Sequence, residues 1–469
     1  MSTLPSRGSI TLLVLVFGAV FFVVLSALSG YVLAENRAED QLRQKSEAFA
    51  IAEAGIEYYR WLLAHFPGDT AGGTFSYADP EGGAAGSYTL AVAADTACGV
   101  TTALTVRSTG APAEAPGIAS TIVATYAQPS IADYSYILDT NAWFTSTTYG
   151  PLHTNGGLRM DGDPNAPVSS SLSTWDCGPS NGCSPEQRRA PGVVGDGSNQ
   201  SLWEYPTPQV DFAGIAADFA ALKSTAQSSG LYFGRVSTGS DTHLGYHLIF
   251  NADGTVTVKQ VTSVSALSAV PVDGSSGGRF VNDYSLINKE KTLGTYAVPS
   301  SCGLIFVEDN AWIEGTVNGK VTLVAADVAD TVVDANIVVP DNLAYTATDG
   351  SDGLTAIAQN NFLIGPATPD SLTMDGIFVA QGGAFGRNLY DCRYSGYDDK
   401  HTLSILGSIV SALRPGTEWV YGDSYCRSGS ISGYEDRTTS FDRANAADPP
   451  PFTPVTSTQY EFTDWRQVD

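Results

Sequence analysis

The sequence predicts an α+β N-terminal part, made of one long helix and an antiparallel β meander, followed by a mainly-β C-terminal part. We expect that second part to be a right-handed parallel β-helix with a helix-and-hairpin insertion. Three features lead to this prediction. An uncharged apolar run fills residues 9–34, alternating segments split by Gly- and Pro-rich turns fill 87–129, and short apolar runs without a helical pattern fill 300–415. The first has the length of a membrane-spanning helix, and the others have the patterns of strands.

Residues 9–34 are expected to form a retained transmembrane helix behind a short leader, residues 1–8, in which Arg7 is the charged side chain. Spanning the hydrocarbon core takes roughly 20 apolar residues, and this run is longer. A cleaved secretory signal has an apolar core of about 7–15 residues and a small-residue cleavage site, and no Ala-x-Ala motif follows the run. The expected topology is a single pass through the inner or cytoplasmic membrane, with a short cytoplasmic N-terminus and an exported C-terminal part.

Residues 35–66 are expected to continue this helix as an amphipathic segment. Leu42, Phe49 and Ile56 recur every seven residues, which indicates an apolar stripe along one side. Pro67 and the glycine after it then end the pattern, since proline cannot continue a helix. Two interpretations stay open: a membrane anchor with a short coiled-coil stalk, or a helix whose second half packs on a small head domain.

Three segments favour the second interpretation. Residues 7–9, Arg-Gly-Ser before the apolar run, resemble a prepilin processing site. Residues 50–57 read A-x-A-E-A-G-x-E, a stretch that resembles one in minor type IV pilins of the PilX type, and the β meander expected within 67–130 resembles the head of that family. Leu13 stands where many pilins carry a glutamate, which proteins of the PilX type often lack.

This resemblance implies cleavage after Gly8 by a prepilin peptidase, which leaves Ser9 as the first residue. It also implies partners: the membrane, other pilins contacted through the N-terminal helix, and the pilus assembly machinery with its cytoplasmic ATPase. The helix positions expected to carry assembly are Ile10, Leu13, Phe17, Phe21, Leu25, Leu28, Leu42, Phe49 and Ile56.

The composition indicates an exported, turn-rich β protein. The chain has 48 glycines and 22 tyrosines, and its 49 acidic and 24 basic residues give a net charge of −25. That charge argues against nucleic acid or an anionic lipid surface as the main partner. It is also what solubility alone would require.

The six cysteines all follow the apolar run, and an even number in an exported chain indicates disulfides. No CxxC pair is present and the five histidines are scattered, so we expect no structural zinc site. Sequence alone leaves the connectivity open. The candidate pairs are Cys177 with Cys183, Cys392 with Cys426, and Cys98 with Cys302.

Beyond residue 130, short apolar segments recur between turns, a pattern that suits a sandwich, a barrel or a parallel β-helix. We favour the β-helix because these strands are continuous apolar runs, as buried parallel strands are. A helical pattern and a hairpin pattern interrupt them. The expected segments are a first β part (131–205), a helix and hairpin insertion (206–290), a β-helix body (291–447) and a Pro-rich tail (448–469) whose apolar strand folds back on the core.

The residues that could form a catalytic or metal site are more readily explained as turn-forming residues. His153 and Asn155 lie in a G-x-x-H-x-N-G motif, which resembles one in the large ectodomains of bacterial pilus-assembly-like proteins. Such residues at strand corners usually satisfy turn backbone groups. The Asp/Gly turns around Asp161 and Asp349 could offer oxygen ligands to calcium, but aspartate beside glycine more often forms turns. We therefore expect no catalytic residue, no metal and no cofactor.

Together these features predict a non-enzymatic, membrane-anchored minor pilin or pilin-like surface protein that displays a large β ectodomain for adhesion or spacing. It would reside in the membrane or on a cell-surface pilus. Two alternatives remain. One is an adhesin anchored by the same helix but never polymerised, and the other is a surface carbohydrate-active enzyme on a β-helix. The sequence does not indicate the ligand of the ectodomain.

Overall fold

The computed structural model describes residues 9–66, 70–79, 82–328, 332–421 and 431–468. Gly8, Pro67 and Cys426 lie outside these ranges, and with them the predicted cleavage site, helix end and one predicted disulfide partner. The described chain forms two compact units. The helix–sheet unit draws its described residues from Met1–Ala94, Ala103–Ala127 and Gln459–Asp469, and the ladder unit draws them from Asp95–Thr102 and Gln128–Thr458.

The described elements comprise one long helix, a few short helices and many short strands. The α-helices are α1 (Ser9–His65), α2 (Phe212–Ala217), α3 (Phe219–Ser229) and α4 (Arg443–Ala447), and the 3-10 turns are Ile131–Asp133, Pro179–Asn181 and Gln200–Leu202. The strands up to the middle of the chain are β1 (Gly73–Ala78), β2 (Ala84–Ala97), β3 (Val100–Pro112), β4 (Ser120–Ala127), β5 (Tyr136–Leu138), β6 (Ala142–Phe144), β7 (Leu152–Thr154), β8 (Leu158–Met160), β9 (Val168–Ser170), β10 (Thr174–Cys177), β11 (Gln187–Pro191), β12 (Val193–Val194), β13 (Trp203–Glu204), β14 (Leu231–Phe233), β15 (Gly245–Asn251) and β16 (Thr255–Val270). The later strands are β17 (Val281–Ala297), β18 (Leu304–Val307), β19 (Asn310–Val317), β20 (Lys320–Ala325), β21 (Ile337–Val339), β22 (Leu343–Tyr345), β23 (Gly353–Ala358), β24 (Phe362–Ile364), β25 (Ser371–Ala380), β26 (Phe385–Gly386), β27 (Leu389–Tyr390), β28 (Asp399–Ser411), β29 (Glu418–Val420), β30 (Ile431–Ser440) and β31 (Glu461–Gln467).

The helix–sheet unit contains one sheet in the order β1-β2-β3-β4-β31. The antiparallel register places Leu104 of β3 opposite Tyr126 of β4, and Phe462 of β31 opposite the same tyrosine from the other side. The fifth strand of this sheet is therefore the last strand of the chain. The apolar strand expected in the tail returns to this sheet, and most of the ladder unit lies in sequence between β4 and β31.

The second half of α1 supplies the core of this unit. Ala52, Ile56, Tyr59 and Leu63 follow steps of three and four residues, which places them on one helix face, and each is at most 3% exposed. They pack on alternate residues of the strands, which share one face of the sheet. These residues are Leu104, Val106, Ile122, Ala124 and Tyr126.

Short parallel strands form the main ladder of the ladder unit. A C-terminal run (β18, β20, β23, β25, β28) ends at β28, which pairs in parallel with β5, the first strand of an N-terminal run (β5, β7, β9, β13). One row of paired residues passes through every strand, and we call it the central row. In spatial order its members are Leu231, Ile305, Leu323, Ala356, Phe378, Ile409, Tyr136, Leu152, Val168 and Trp203.

A second set of parallel strands (β15, β19, β21, β24, β26) turns away from the main ladder at asparagine corners. The side-chain oxygen of Asn310 accepts the backbone N–H of Asn336 at 3.0 Å, and that of Asn336 accepts the N–H of Asn361 at 3.0 Å. Asn361 in turn accepts the N–H of Ala384 at 2.8 Å. Each side chain thus satisfies a backbone donor of the next layer, where the strands change direction.

Both faces of the main ladder are buried because α3 covers the outer one. Phe219 and Leu222 of α3 pack with Leu304 and Phe306, while the alternate residues of β18 point into the opposite core. This explains why Leu304–Val307 is apolar at every position. The predicted long N-terminal helix and mainly-β remainder with parallel strands are confirmed.

The long hairpin extends the second set of strands. β15 pairs in parallel with β19 and antiparallel with β16, and the chain reverses at residues 251–254, where Gly254 has a φ of +79°. β17 then pairs with β16 and is mostly exposed.

Candidate functional site: the long helix and its seat

The first half of α1 exposes its apolar side chains. The helix is long and apolar enough to cross a membrane, and none of its most apolar window is buried within the described structure. Apolar side chains in this state need lipid or another apolar surface around them. The helix, which begins at Ser9, is therefore consistent with a membrane anchor. The expected assembly positions in this half are between 43% and 73% exposed: Ile10, Leu13, Phe17, Phe21, Leu25 and Leu28.

The remaining three assembly positions, which the seven-residue spacing placed on one stripe, differ in how deeply they are buried. Ile56 is 1% exposed, Phe49 is half-buried with its ring 6.0 Å from that of Trp465, and Leu42 is 67% exposed. Positions seven apart drift around a straight α-helix by about 20° per heptad. The stripe therefore begins in the core of the unit at Ile56 and turns toward solvent at Leu42.

Small residues let α1 lie directly on the strands. A Cβ atom on Gly110 of β3 would lie 2.3 Å from the Ala48 carbonyl oxygen and 2.4 Å from the Ala52 nitrogen. A Cβ atom on Gly55 would lie 2.3 Å from the hydroxyl of Ser108. The A-x-A-E-A-G-x-E stretch thus has a packing role, with Ala52 and Gly55 buried and its two glutamates exposed. Spacing of large apolar residues alone misses this face.

Tyr126 of β4 links the helix to the returning strand. It is fully buried, and its hydroxyl donates to the carbonyl oxygen of Ile56 at 2.9 Å. Its ring centroid lies 4.6 Å from that of Phe462 in β31 and 5.9 Å from that of Tyr59 in α1. Burial, with the negative charge of Glu57, raises the pKa of the Tyr126 hydroxyl well above its usual range, so it remains a donor.

Disulfides close two loops of the ladder unit. Cys177 bonds to Cys183 with Cα atoms 5.7 Å apart, and Cys98 bonds to Cys302 with Cα atoms 4.5 Å apart. Cys98 lies in the turn between β2 and β3 with a φ of +49°, a left-handed conformation uncommon for residues other than glycine. Cys392 is also disulfide-bonded. Such bonds form and persist in oxidising compartments.

His153 and Asn155 form a closed hydrogen-bond network. Nδ1 of His153 lies 2.9 Å from the Ser169 hydroxyl, and Nε2 lies 3.1 Å from the side-chain oxygen of Asn155. The Asn155 amide donates to Asp139 at 2.7 Å and to the Val210 carbonyl at 2.8 Å. Burial lowers the pKa of His153 and outweighs the opposite effect of a hydrogen bond to the side-chain oxygen of Asn155. The network ties a strand corner to the segment that leads into α2.

Ser169 is the partner of His153 that sequence reasoning missed. The two residues are sixteen apart and meet because β7 and β9 are neighbouring rungs with His153 opposite Ser169. The hydroxyl of Ser169 is buried and also lies 3.2 Å from the Leu152 carbonyl oxygen, to which it donates. A serine held in this way does not present a nucleophile to solvent.

The candidate calcium turns are occupied by protein donors. Asp161 accepts from the indole N–H of Trp143 and from Nε of Arg159, both at 2.8 Å. Asp349 accepts from the backbone N–H of Ser351 at 3.0 Å, and hydrogen bonds from Ser351 lower the pKa of this carboxyl. Among the described residues, no three His, Cys, Asp or Glu side chains are grouped so that they could hold a metal ion.

Comparison with known proteins adds one weak structural likeness. No protein-family model matches the chain, and no curated protein matches it. Among solved structures, the chain is similar to the competence-associated pilin ComZ from Thermus thermophilus, with 12% sequence identity and a TM-score of 0.29 over 91% of this chain and 97% of that one. A likeness at this level carries no weight for fold or function, which rest on the motifs and contacts described above.

Proposed function

We propose that this chain is a non-enzymatic, membrane-anchored minor pilin or pilin-like surface protein. The observation that carries the proposal is α1, whose exposed apolar half continues unbroken into a half seated on a small antiparallel sheet through Gly55 and Gly110. The exposed half can lie in a membrane before assembly and against neighbouring helices afterwards, because both surroundings are apolar.

Assembly on this proposal uses the exposed side of α1. A prepilin peptidase would cut after Gly8, other pilins would pack on the helix, and the pilus assembly machinery would extract it from the membrane. Leu42, exposed beyond the sheet, belongs to this contact, whereas Ile56 serves the fold of the subunit. The contact positions are Ile10, Leu13, Phe17, Phe21, Leu25, Leu28 and Leu42.

The ladder unit would be the displayed part. We interpret its two sets of parallel strands, with asparagine corners between them, as faces of a parallel β-helix, right-handed as parallel crossovers usually are. Most of its sequence is inserted between β4 and β31, which are neighbouring strands of the helix–sheet unit, and on this proposal the displayed part adds adhesion or spacing to the assembling part.

Mass analysis of the N-terminus of the protein isolated from its native membrane tests the proposal. We expect a chain that starts at Ser9, and we expect Gly8→Val to leave the leader attached. Gly18→Val is the matched control, because a Cβ at Gly18 meets nothing within 4 Å and the helix stays apolar. An intact Met1 in the wild-type chain would contradict the pilin proposal and favour a surface adhesin that is anchored but never polymerised.

A further inference from the structure

The ladder unit contains a cavity of about 660 Å³ at the point where β28 changes its neighbour. Asp399 to Leu406 of β28 pair with β30, whereas Ile409 to Ser411 pair with β5. The cavity is lined by residues of all three strands, by residues 145–149 and by residues 414–418. Its volume falls within the ~300–1,000 Å³ typical of small-molecule sites.

The cavity has an apolar floor and aromatic walls. Leu403, Ile405 and Phe385 line it and are at most 4% exposed. Trp143 and Tyr149 also line it and are 36% and 47% exposed, so that their rings are open to a ligand. Flat aromatic surfaces beside a dry floor suit a ligand with an apolar face.

Trp143 is held in a fixed orientation. Its indole N–H donates to Asp161 at 2.8 Å, and the guanidinium of Arg159 lies 5.5 Å from its ring centroid. Gly182 packs against the ring so closely that a Cβ atom there would come within 2.6 Å of it. A ring already fixed before binding loses little conformational entropy on contact with a ligand.

The rim is rich in hydroxyl groups, and one of them lacks a partner. Thr148 lines the cavity, is 5% exposed, and its hydroxyl makes no hydrogen bond within the described part of the chain. A buried hydroxyl without a partner is costly, but this oxygen is closed to solvent, so the exposed hydroxyls of Thr145, Ser146 and Thr147 are the ones that a ligand can reach. The other hydroxyl residues of the lining are Thr145, Ser146, Thr147, Thr417, Thr438 and Thr439.

The charged side chains of the lining are of both signs: three acidic, Glu418, Glu435 and Asp436, and two basic, Arg414 and Arg437. Arg437 forms an ion pair with Glu418, and Arg414 donates to the Ser180 carbonyl oxygen at 2.7 Å. Acidic and basic side chains therefore stand side by side, and no single sign of charge dominates. Such a rim does not favour a strongly anionic or cationic ligand.

We propose that this cavity binds a neutral oligosaccharide. A pyranose ring has C–H groups on its faces and hydroxyls at its edge, which matches aromatic walls above an apolar floor and a hydroxyl-rich rim. The inference rests on the proposed display function and gives its adhesion a ligand class. Trp143 and Tyr149 contact the sugar faces, and the exposed hydroxyls at residues 145–147 bond sugar hydroxyls.

Binding is tested with the full-length protein in lipid nanodiscs. The probes are maltohexaose, cellohexaose, mannohexaose and chitohexaose, with an oligogalacturonate as the anionic comparison, each followed by tryptophan fluorescence and calorimetry. We expect saturable binding of at least one neutral probe and a weakening of at least about tenfold in Tyr149→Ala. Phe280→Ala is the matched control, because Phe280 is 40% exposed and does not line the cavity.

Thr147→Trp provides a second variant that spares the core. Thr147 is exposed on the rim, so an indole there is expected to block the cavity and abolish binding without removing a packed side chain. The proposal is overturned if no neutral probe binds, if Tyr149→Ala binds as the wild type does, or if the oligogalacturonate alone binds. N-terminal mass analysis of the same preparation separates the two proposals, since a chain that starts at Ser9 but binds no neutral probe retains the pilin function and loses only this ligand.

Discussion

Ile409 of β28 pairs with Tyr136 of β5, and this contact joins the C-terminal run of strands to the N-terminal one. The two residues are far apart in sequence yet adjacent in the central row. Ile409 is 3% exposed and Tyr136 is packed against the same core. The edges that the two runs would otherwise present are paired with each other, as exposed sheet edges in stable proteins usually must be.

We expect Ile409→Ala to weaken both runs together. Truncation of a fully buried isoleucine costs about 2–5 kcal/mol through lost contacts and the cavity that remains. Hydrogen exchange should therefore increase in β25 and β28 and also in β5 and β7. Val420→Ala is the control, because Val420 is 62% exposed and such substitutions usually change stability by less than about 0.5 kcal/mol. Faster exchange confined to the C-terminal run would contradict the coupling.

Gly110→Ala should destabilise the helix–sheet unit. Its new Cβ atom would meet backbone atoms of Ala48 and Ala52, which cannot rotate away as a side chain can. Overpacking of this kind costs about 1–3 kcal/mol. Denaturant unfolding followed by far-UV circular dichroism measures the change. Gly117→Ala in the same unit is the control, since its Cβ meets nothing within 4 Å, and equal stability of the two variants would refute the role of Gly110.

The difference between what sequence patterns predict and what they miss follows from the range of the contacts. The apolar runs predict buried parallel strands, and Leu304–Val307 shows why, since α3 covers one face of this strand and the other face points into the opposite core. No local pattern in the sequence predicts the pairing of Ile409 with Tyr136. In the ladder the C-terminal run of strands comes before the N-terminal run, which is the reverse of their order in the sequence. The seat of α1 is also missed, since Gly55 and Gly110 contribute by having no side chain.

The candidate cavity is also formed by residues that are distant in sequence. Trp143 lies in β6 and Tyr149 in the loop after it, whereas Leu403 and Ile405 lie in β28. Only the junction between the two runs brings them together, so no motif in the sequence marks the site. The lone Thr148 hydroxyl is likewise visible only once burial and partners are known.

His247 should stabilise the fold more in acid than in alkali. It lies between Glu290 of β17, at 2.8 Å, and Glu314 of β19, at 3.3 Å, and Lys259 of β16 also pairs with Glu290. Burial alone would lower the pKa of His247, but the hydrogen bond that Nδ1 donates to Glu290 and the negative charges of both glutamates outweigh it and raise this pKa. The stabilisation is therefore present below the unfolded-state pKa of ~6.5 and is lost as the pH rises through the higher folded-state pKa.

We expect His247→Gln to cost more stability at pH 5.5 than at pH 8.5, as measured by denaturant unfolding at the two pH values. His401→Gln is the control, because His401 is 65% exposed. A cost for His247→Gln that is equal at both pH values, or larger at pH 8.5, would show that the glutamate pair does not hold the protonated ring.

His153 should show the opposite dependence. Burial lowers the pKa of His153 below the ~6.5 of an unfolded chain, so the folded state resists protonation. Its contribution is fully present above the unfolded-state pKa and decreases as the pH falls toward the folded-state value. His153→Gln should therefore cost more stability at pH 8 than at pH 5.5, in the same unfolding measurement. A larger cost at pH 5.5 would contradict a neutral buried ring.

Phe462→Ala should weaken the pairing of β31 with β4. Phe462 is half-buried, its ring lies 4.6 Å from that of Tyr126, and the guanidinium of Arg60 lies 5.5 Å from its centre. Complete burial would make the truncation cost about 3–5 kcal/mol, so partial burial predicts about 2 kcal/mol. Hydrogen exchange should rise in β31 and β4, and recovery of the protein in sheared filaments should fall because the assembling unit is less stable. Asp464→Ala, at an exposed position of the same strand, is the control. Unchanged exchange in β4 would contradict a stabilising contact between β31 and the sheet.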